Sequence, residues 1–187
     1  MATLDGNYID PTNVSARQTG IRWGLILGLI GVILSLFFYF TGLQDFSGKN
    51  PSWLPWLAIT ITNCVCIWYA QVQHRDNELG GYLTLGRAVT VGLWVCLIAG
   101  VISMVYMVFF STFMVKDLAQ TMINGAVENA ENSGQDGEKA RSRMEMMKWF
   151  FSPLGLAVSA LIGKLFSGLI LGLLVGLVTK RESSKPF

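Results

Sequence analysis

The sequence predicts an all-α integral membrane protein, a four-helix bundle with an amphipathic helical loop between its third and fourth helices. Two observations predict it: four long apolar blocks stand between polar segments in a chain that is 52% hydrophobic and 14% charged, and the tryptophans gather at block ends. Lipid offers backbone amides no partner, so a segment of about 20 apolar residues crosses it as a helix, which satisfies those amides internally. Of the six tryptophans, Trp23, Trp53, Trp56, Trp68 and Trp149 lie at or near block ends, and only Trp94 lies inside a block. An indole prefers the headgroup level, where its ring is buried and its N–H stays wet.

Residues 1–20 are polar, rich in turn formers such as Asp10-Pro11, and read as a flexible cytoplasmic tail. The block that follows does not read as a cleaved signal: a polar stretch with Asp5 and Asp10 precedes it, it exceeds an h-region in length, and no small-x-small site follows. The transmembrane domain is expected over 21–181, with spans at about 23–43, 53–70, 88–113 and 157–179 and a C-terminal tail over 182–187.

On the first helix Gly24, Gly28, Gly31 and Ser35 project within about 60° of one another at 100° per residue, forming one smooth groove. The connection Thr41 to Ser52 is a turn by composition. The second span carries Asn63, with Thr60 on the same face; its amide is costly against lipid, so it should point into the bundle and make a structural hydrogen bond worth about 0.6–2 kcal/mol. The polar centre of AQVQHRDNELGGYLTLGR must lie outside the bilayer, and the cluster His74 to Glu78 reads as a solvated loop ended by Gly80-Gly81. His74-Arg75-Asp76 matches the kinase catalytic tripeptide by chance, because position 81, where that motif needs Asn, is Gly.

The third helix sets Gly92, Cys96 and Gly100 at intervals of four. Beyond it, 116–148 is the amphipathic loop: Leu118, Met122, Ala126 and Ala130, flanked by Ala119, Ile123 and Val127, make one apolar stripe. A turn at Asp136-Gly137 precedes a short second helix from about Glu138, which includes Ser142-x-x-Glu145, a capping-box pattern. Met144, Met146, Met147, Trp149, Phe150 and Phe151 form an apolar ramp suited to the membrane interface before Pro153.

The fourth span holds Lys164. Measured back from Lys180 and Arg181, it lies about 24 Å along the helix, near the opposite surface of a hydrocarbon core about 30 Å thick. There its stem can snorkel to water, which makes it an anchor. The competing reading is register: Lys164, Gly168, Gly172 and Gly176 follow at intervals of four, so the lysine heads the face that meets protein, or a lipid headgroup. The hexamer GLILGL occurs at Gly24 to Leu29 and again at Gly168 to Leu173. Missing side chains let backbones approach, so the first and fourth helices are expected to pack together, or one ridge to serve a second copy of the chain.

Several function classes fall away. A net charge of +2 with no basic run gives no footprint for nucleic acid. Cys64, Cys66 and Cys96 all fall inside spans, so no disulfide framework is legible, and the C-x-C pair projects about 160° apart on a helix, which argues against a metal. One histidine, no H-E-x-x-H, no G-x-S-x-G and no carboxylate inside a predicted span argue against an enzyme, a catalytic residue set or a cofactor. The lipid bilayer is one partner. The expected role is a non-catalytic assembly or accessory subunit packing through its glycine faces, as a homo-oligomer or with another membrane protein. The alternative is a small transporter or channel subunit working as an oligomer. The basic residues near span ends, Arg17, Arg22, Arg75, Arg87, Lys180, Arg181 and Lys185, favour both termini in the cytoplasm.

The stretch RWGLILGLI, the Gly-Gly turn in GGYLTLGRAVTVG, and an amphipathic segment before a Gly-rich last helix resemble a bacterial membrane family called domain of unknown function 4199. The likeness runs over roughly residues 20 to 180. The family, known mainly from Bacteroidetes, has no assigned activity, so the resemblance implies the inner membrane of a bacterium and no site residues.

Overall fold

The computed structural model describes residues 14–46 and 53–181. Four of its helices are long and apolar enough to cross a membrane: α1 (Ala16–Phe40), α2 (Trp53–Gln73) with its continuation His74–Glu78, α3 (Leu85–Phe109) with its continuation Phe110–Met114, and α7 (Pro153–Thr179). Between α3 and α7 lie α4 (Leu118–Asn132), α5 (Gly137–Met146) and the single turn α6 (Lys148–Phe151). Among the described residues the only β pairing is an isolated antiparallel bridge between Leu83 and Arg181.

The helices outrun the apolar blocks. α1 begins at Ala16, inside the stretch expected to be tail, and α2 runs to Glu78 through residues expected to form a loop. The rest of the N-terminal tail before Val14, and the C-terminal tail after Arg181, lie outside the described residues. Each continuation is a wider π turn, with Leu79 N–H donating to His74 O at 3.1 Å and Val115 N–H to Phe110 O at 3.1 Å. Gly80 and Gly81 then take φ of +62° and +94°, which stop α2 in a conformation most side chains refuse. At the start of α7, Pro153 fills the first position, where a missing N–H costs nothing, and Ser152 Oγ accepts from Gly155 N–H at 3.0 Å. Asp136 caps α5, accepting from Glu138 N–H at 3.0 Å and Lys139 N–H at 3.4 Å. Ser142 and Glu145 therefore lie within α5 instead of marking its start.

The chain forms two compact units. The first comprises residues 14–27, 62–99 and 164–181; the second comprises 28–46, 53–61 and 100–163. The first is built on small residues of α3, where Ala88, Val91, Val95, Cys96 and Ala99 are fully buried beside Leu27, Ile67 and Ala70. In the second, Phe110 is buried beneath Tyr39, Phe46 and Tyr106, and Tyr106 Oη–H donates to Ser35 Oγ at 3.1 Å. The amphipathic stripe of α4 buries Leu118, Ile123 and Gly125, while α5 buries Ala140.

Candidate functional site

The glycines of the first unit draw its backbones together. A Cβ added to Gly24 would stand 2.6 Å from Ile98 Cβ and 2.8 Å from Val95 O. One added to Gly92 would stand 2.8 Å from Gly172 Cα and 3.1 Å from Gly168 O, and one on Gly168 would stand 2.6 Å from Cys96 Cβ. Gly176 lies against Ala88 and Leu85. Both glycine ridges therefore meet α3, which corrects the expectation that these ridges join the first and fourth helices to each other or serve a second copy. The missing side chains admit neighbouring backbone at van der Waals distance, where lipid supplies no hydrophobic drive for association. In the second unit Gly28 packs on Ile102 and Gly100 is buried, but Gly31 has nothing within 4 Å of its added Cβ and takes no part in the packing.

This close approach sets up two polar fastenings. Asn63 is 5% exposed, and its Oδ1 accepts from the Lys164 ammonium at 2.8 Å. Of the readings the sequence leaves open for Lys164, the helix contact is the one its side chain makes; it is not extended as a free anchor. Eight residues further along α7, Gln71 of α2 is fully buried and reaches both α3 and α7. Its Nε2 donates to Ala88 O and Gly172 O, each at 3.0 Å, and its Oε1 accepts from Thr179 Oγ1 at 2.7 Å.

The third fastening overturns the expectation of a solvated loop over His74 to Glu78. The His74 ring is fully buried. Arg87 Nε–H donates to His74 Nε2 at 3.4 Å, which requires a lone pair there and leaves the ring proton on Nδ1. Nδ1–H then donates to Glu78 Oε2 at 2.7 Å, while Thr19 Oγ1–H donates to Glu78 Oε1. Arg75 holds Asp76 with two bonds, of 2.6 and 3.0 Å, and donates to Thr179 O at 3.1 Å, capping the end of α7. Leu83 and Arg181 exchange backbone bonds of 2.9 and 3.0 Å beside it. The solvated parts of the segment are Asp76 and Asn77, which are exposed.

Chemically, this is a set of satisfied groups. Both ring nitrogens of His74 are engaged, and among the described residues no buried side-chain N or O lacks a hydrogen-bond partner. Cys66 and Cys96 are buried free thiols, Cys64 is half-buried, and no cluster of three or more His, Cys, Asp or Glu side chains occurs among the described residues. Sequence reasoning missed Thr19, Gln71 and Thr179, read His74 as part of a solvated loop, and took Arg87 only as a marker of topology. The available signal was the spacing of Gln71, His74 and Glu78, which share one helix face if α2 continues past Ala70.

No curated protein and no solved structure matches the chain. A family model described as "Protein of unknown function (DUF4199)" matches residues 22–181, which takes in α2, α3 and α7 whole, α1 from Arg22 onward, and all three polar fastenings except Thr19. With most of its length covered, this membrane protein belongs to the DUF4199 family.

Proposed function

We propose that the protein is a non-catalytic accessory or assembly subunit of the bacterial inner membrane, working as a homo-oligomer or with another membrane protein. The observation that carries this reading is the mutual satisfaction of its buried polar groups: Gln71, His74 and Asn63 each bond to neighbouring helices, so they act as fasteners and leave no buried polar group free for a substrate among the described residues. Because the glycine faces are used inside the chain, the partner surface lies elsewhere. Its best candidate is the exposed ramp of Met146, Met147, Trp149 and Phe150, next to Arg143 and Lys148.

Native mass spectrometry of the protein, gently solubilised from its own host membrane, tests this. A defined complex with a second protein is expected. A homo-oligomer that carries a solute and loses flux on Lys164→Ala would instead favour the transporter reading.

Both termini belong in the cytoplasm on this reading, supported by Arg17, Arg22, Arg75, Arg87, Lys180 and Arg181 close to helix ends. A Ser133→Cys variant, at an exposed turn between α4 and α5, should then react with an impermeant maleimide from the outer side of intact membranes. Protection until the membrane is permeabilised would reverse the orientation.

A further inference from the structure

We infer that the groove between the start of α1 and the end of α2 binds the headgroup of a phosphatidylethanolamine molecule, with Arg22 taking its phosphate and Glu78 its ammonium. The groove encloses about 570 Å³ and is lined by Gln18, Thr19, Ile21, Arg22, Leu25, Gln73 and Glu78. Its two charges have opposite sign and do not pair with each other. Arg22 is exposed and makes no hydrogen bond or ion pair with any described residue. The Glu78 side chain is 30% exposed, and its internal partners are a hydroxyl and a neutral imidazole, so neither neutralises it. Arg87 engages the opposite nitrogen of that imidazole.

Gln73 adds a donor. Trp23 Nε1–H donates to Gln73 Oε1 at 2.6 Å, and because an indole nitrogen can only donate, the amide must turn its oxygen to Trp23. That leaves Gln73 Nε2 without a hydrogen bond to the described residues, and Gln73 lines the same groove as Arg22. A phosphate meets a guanidinium and an amide N–H, the pairing that planar Arg favours. A primary ammonium meets a carboxylate that has lone pairs left after two bonds.

The level in the membrane agrees independently. Trp23 stacks on Tyr69 with ring centroids 5.6 Å apart, and Tyr69 meets Trp68 edge to face at 4.8 Å. Such aromatic groups settle at the headgroup level, and this group is tied to the groove by the hydrogen bond from Trp23 to the lining residue Gln73. Ile21 and Leu25 supply apolar wall, and Leu25 and Leu29, exposed along α1, continue toward the hydrocarbon. The occupant is therefore a lipid and not a free phosphoamine, which would gain nothing from that wall.

The proposal stands apart from the subunit reading and is tested on the delipidated full chain by native mass spectrometry, adding phosphatidylethanolamine, phosphatidylcholine or phosphatidylglycerol with identical acyl chains. The first phosphatidylethanolamine should bind about tenfold more tightly than either of the others. Glu78→Gln should bring it level with phosphatidylcholine, whose quaternary ammonium donates no hydrogen bond. Arg22→Gln, at an exposed position that leaves folding intact, should weaken both lipids alike. If Glu78→Gln does not fold, N-methylated phosphatidylethanolamines on the wild type replace it, with affinity falling as N–H groups are lost. Free phosphoethanolamine should not compete at lipid concentrations. Equal binding of the three lipids, tightest binding of phosphatidylglycerol, or affinities that Arg22→Gln leaves unchanged would overturn the assignment.

Discussion

Gly92→Ala is expected to destabilise the protein by about 1–3 kcal/mol, the range for overpacking a close contact, while Gly172→Ala should leave stability nearly unchanged. The two glycines face each other, so their chemistry is the same and only geometry separates them. The new methyl at 92 would press to 2.8 Å against Gly172 Cα, and backbone cannot swing aside as a side-chain tip can. At 172 the nearest atoms to the new methyl lie at 3.5 Å, which is ordinary contact. Thermal unfolding in one detergent reads both, with Gly31→Ala as the position where nothing is met. Equal losses at 92 and 172 would mean that the helices do not approach as described. Gly172→Ile should unfold the monomer, since its larger side chain has Gly92 and Val89 of the same chain in its way.

The second large effect concerns the pair inside the bundle. Asn63→Leu removes the acceptor of the Lys164 ammonium and should cost about 1.5–3 kcal/mol, the range for hydrogen bonds to charged groups. Lys164→Leu leaves a buried amide unsatisfied and should cost about 1–3 kcal/mol. The double variant replaces both polar groups by apolar ones, so it should be less destabilised than the sum of the singles by at least about 1 kcal/mol. Additive losses in chemical unfolding would show that the two side chains stand apart in the membrane.

The four long helices and their order were legible because hydrophobic length reports a spanning helix directly. The amphipathic stripe of α4 was equally plain, because Leu118 and Ile123 lie on the face its spacing indicated. What the sequence concealed was where helices end when polar residues follow an apolar block. Residues 71–78 look like a loop if every polar group is assumed to need water. They form helix because Gln71, His74 and Glu78 find partners on α1, α3 and α7, which are 17 to 108 residues away in sequence for Gln71. Local composition carries no trace of such partners. The glycine ridges were visible as ridges, but periodicity gives a face and not its neighbour, so α3 as the common recipient emerged only in three dimensions. Lys164 was ambiguous for a related reason, since depth along a helix fixes how far the charge is from water but not whether an acceptor such as Asn63 lies closer.

The central claim is that the glycine ridges close the chain on itself and are not surfaces for another copy. Its most direct test is disulfide cross-linking of an Ala88→Cys, Gly176→Cys variant in membranes, with Cys64, Cys66 and Cys96 replaced by alanine. A Cβ on Gly176 would stand 3.0 Å from that of Ala88, about half an ångström closer than the disulfide range of about 3.5–4.5 Å, so a small outward shift of α7 lets the bond form. The account predicts rapid oxidation to a species that keeps the monomer mass and reverts on reduction. A covalent dimer, or no cross-link at all, would contradict it.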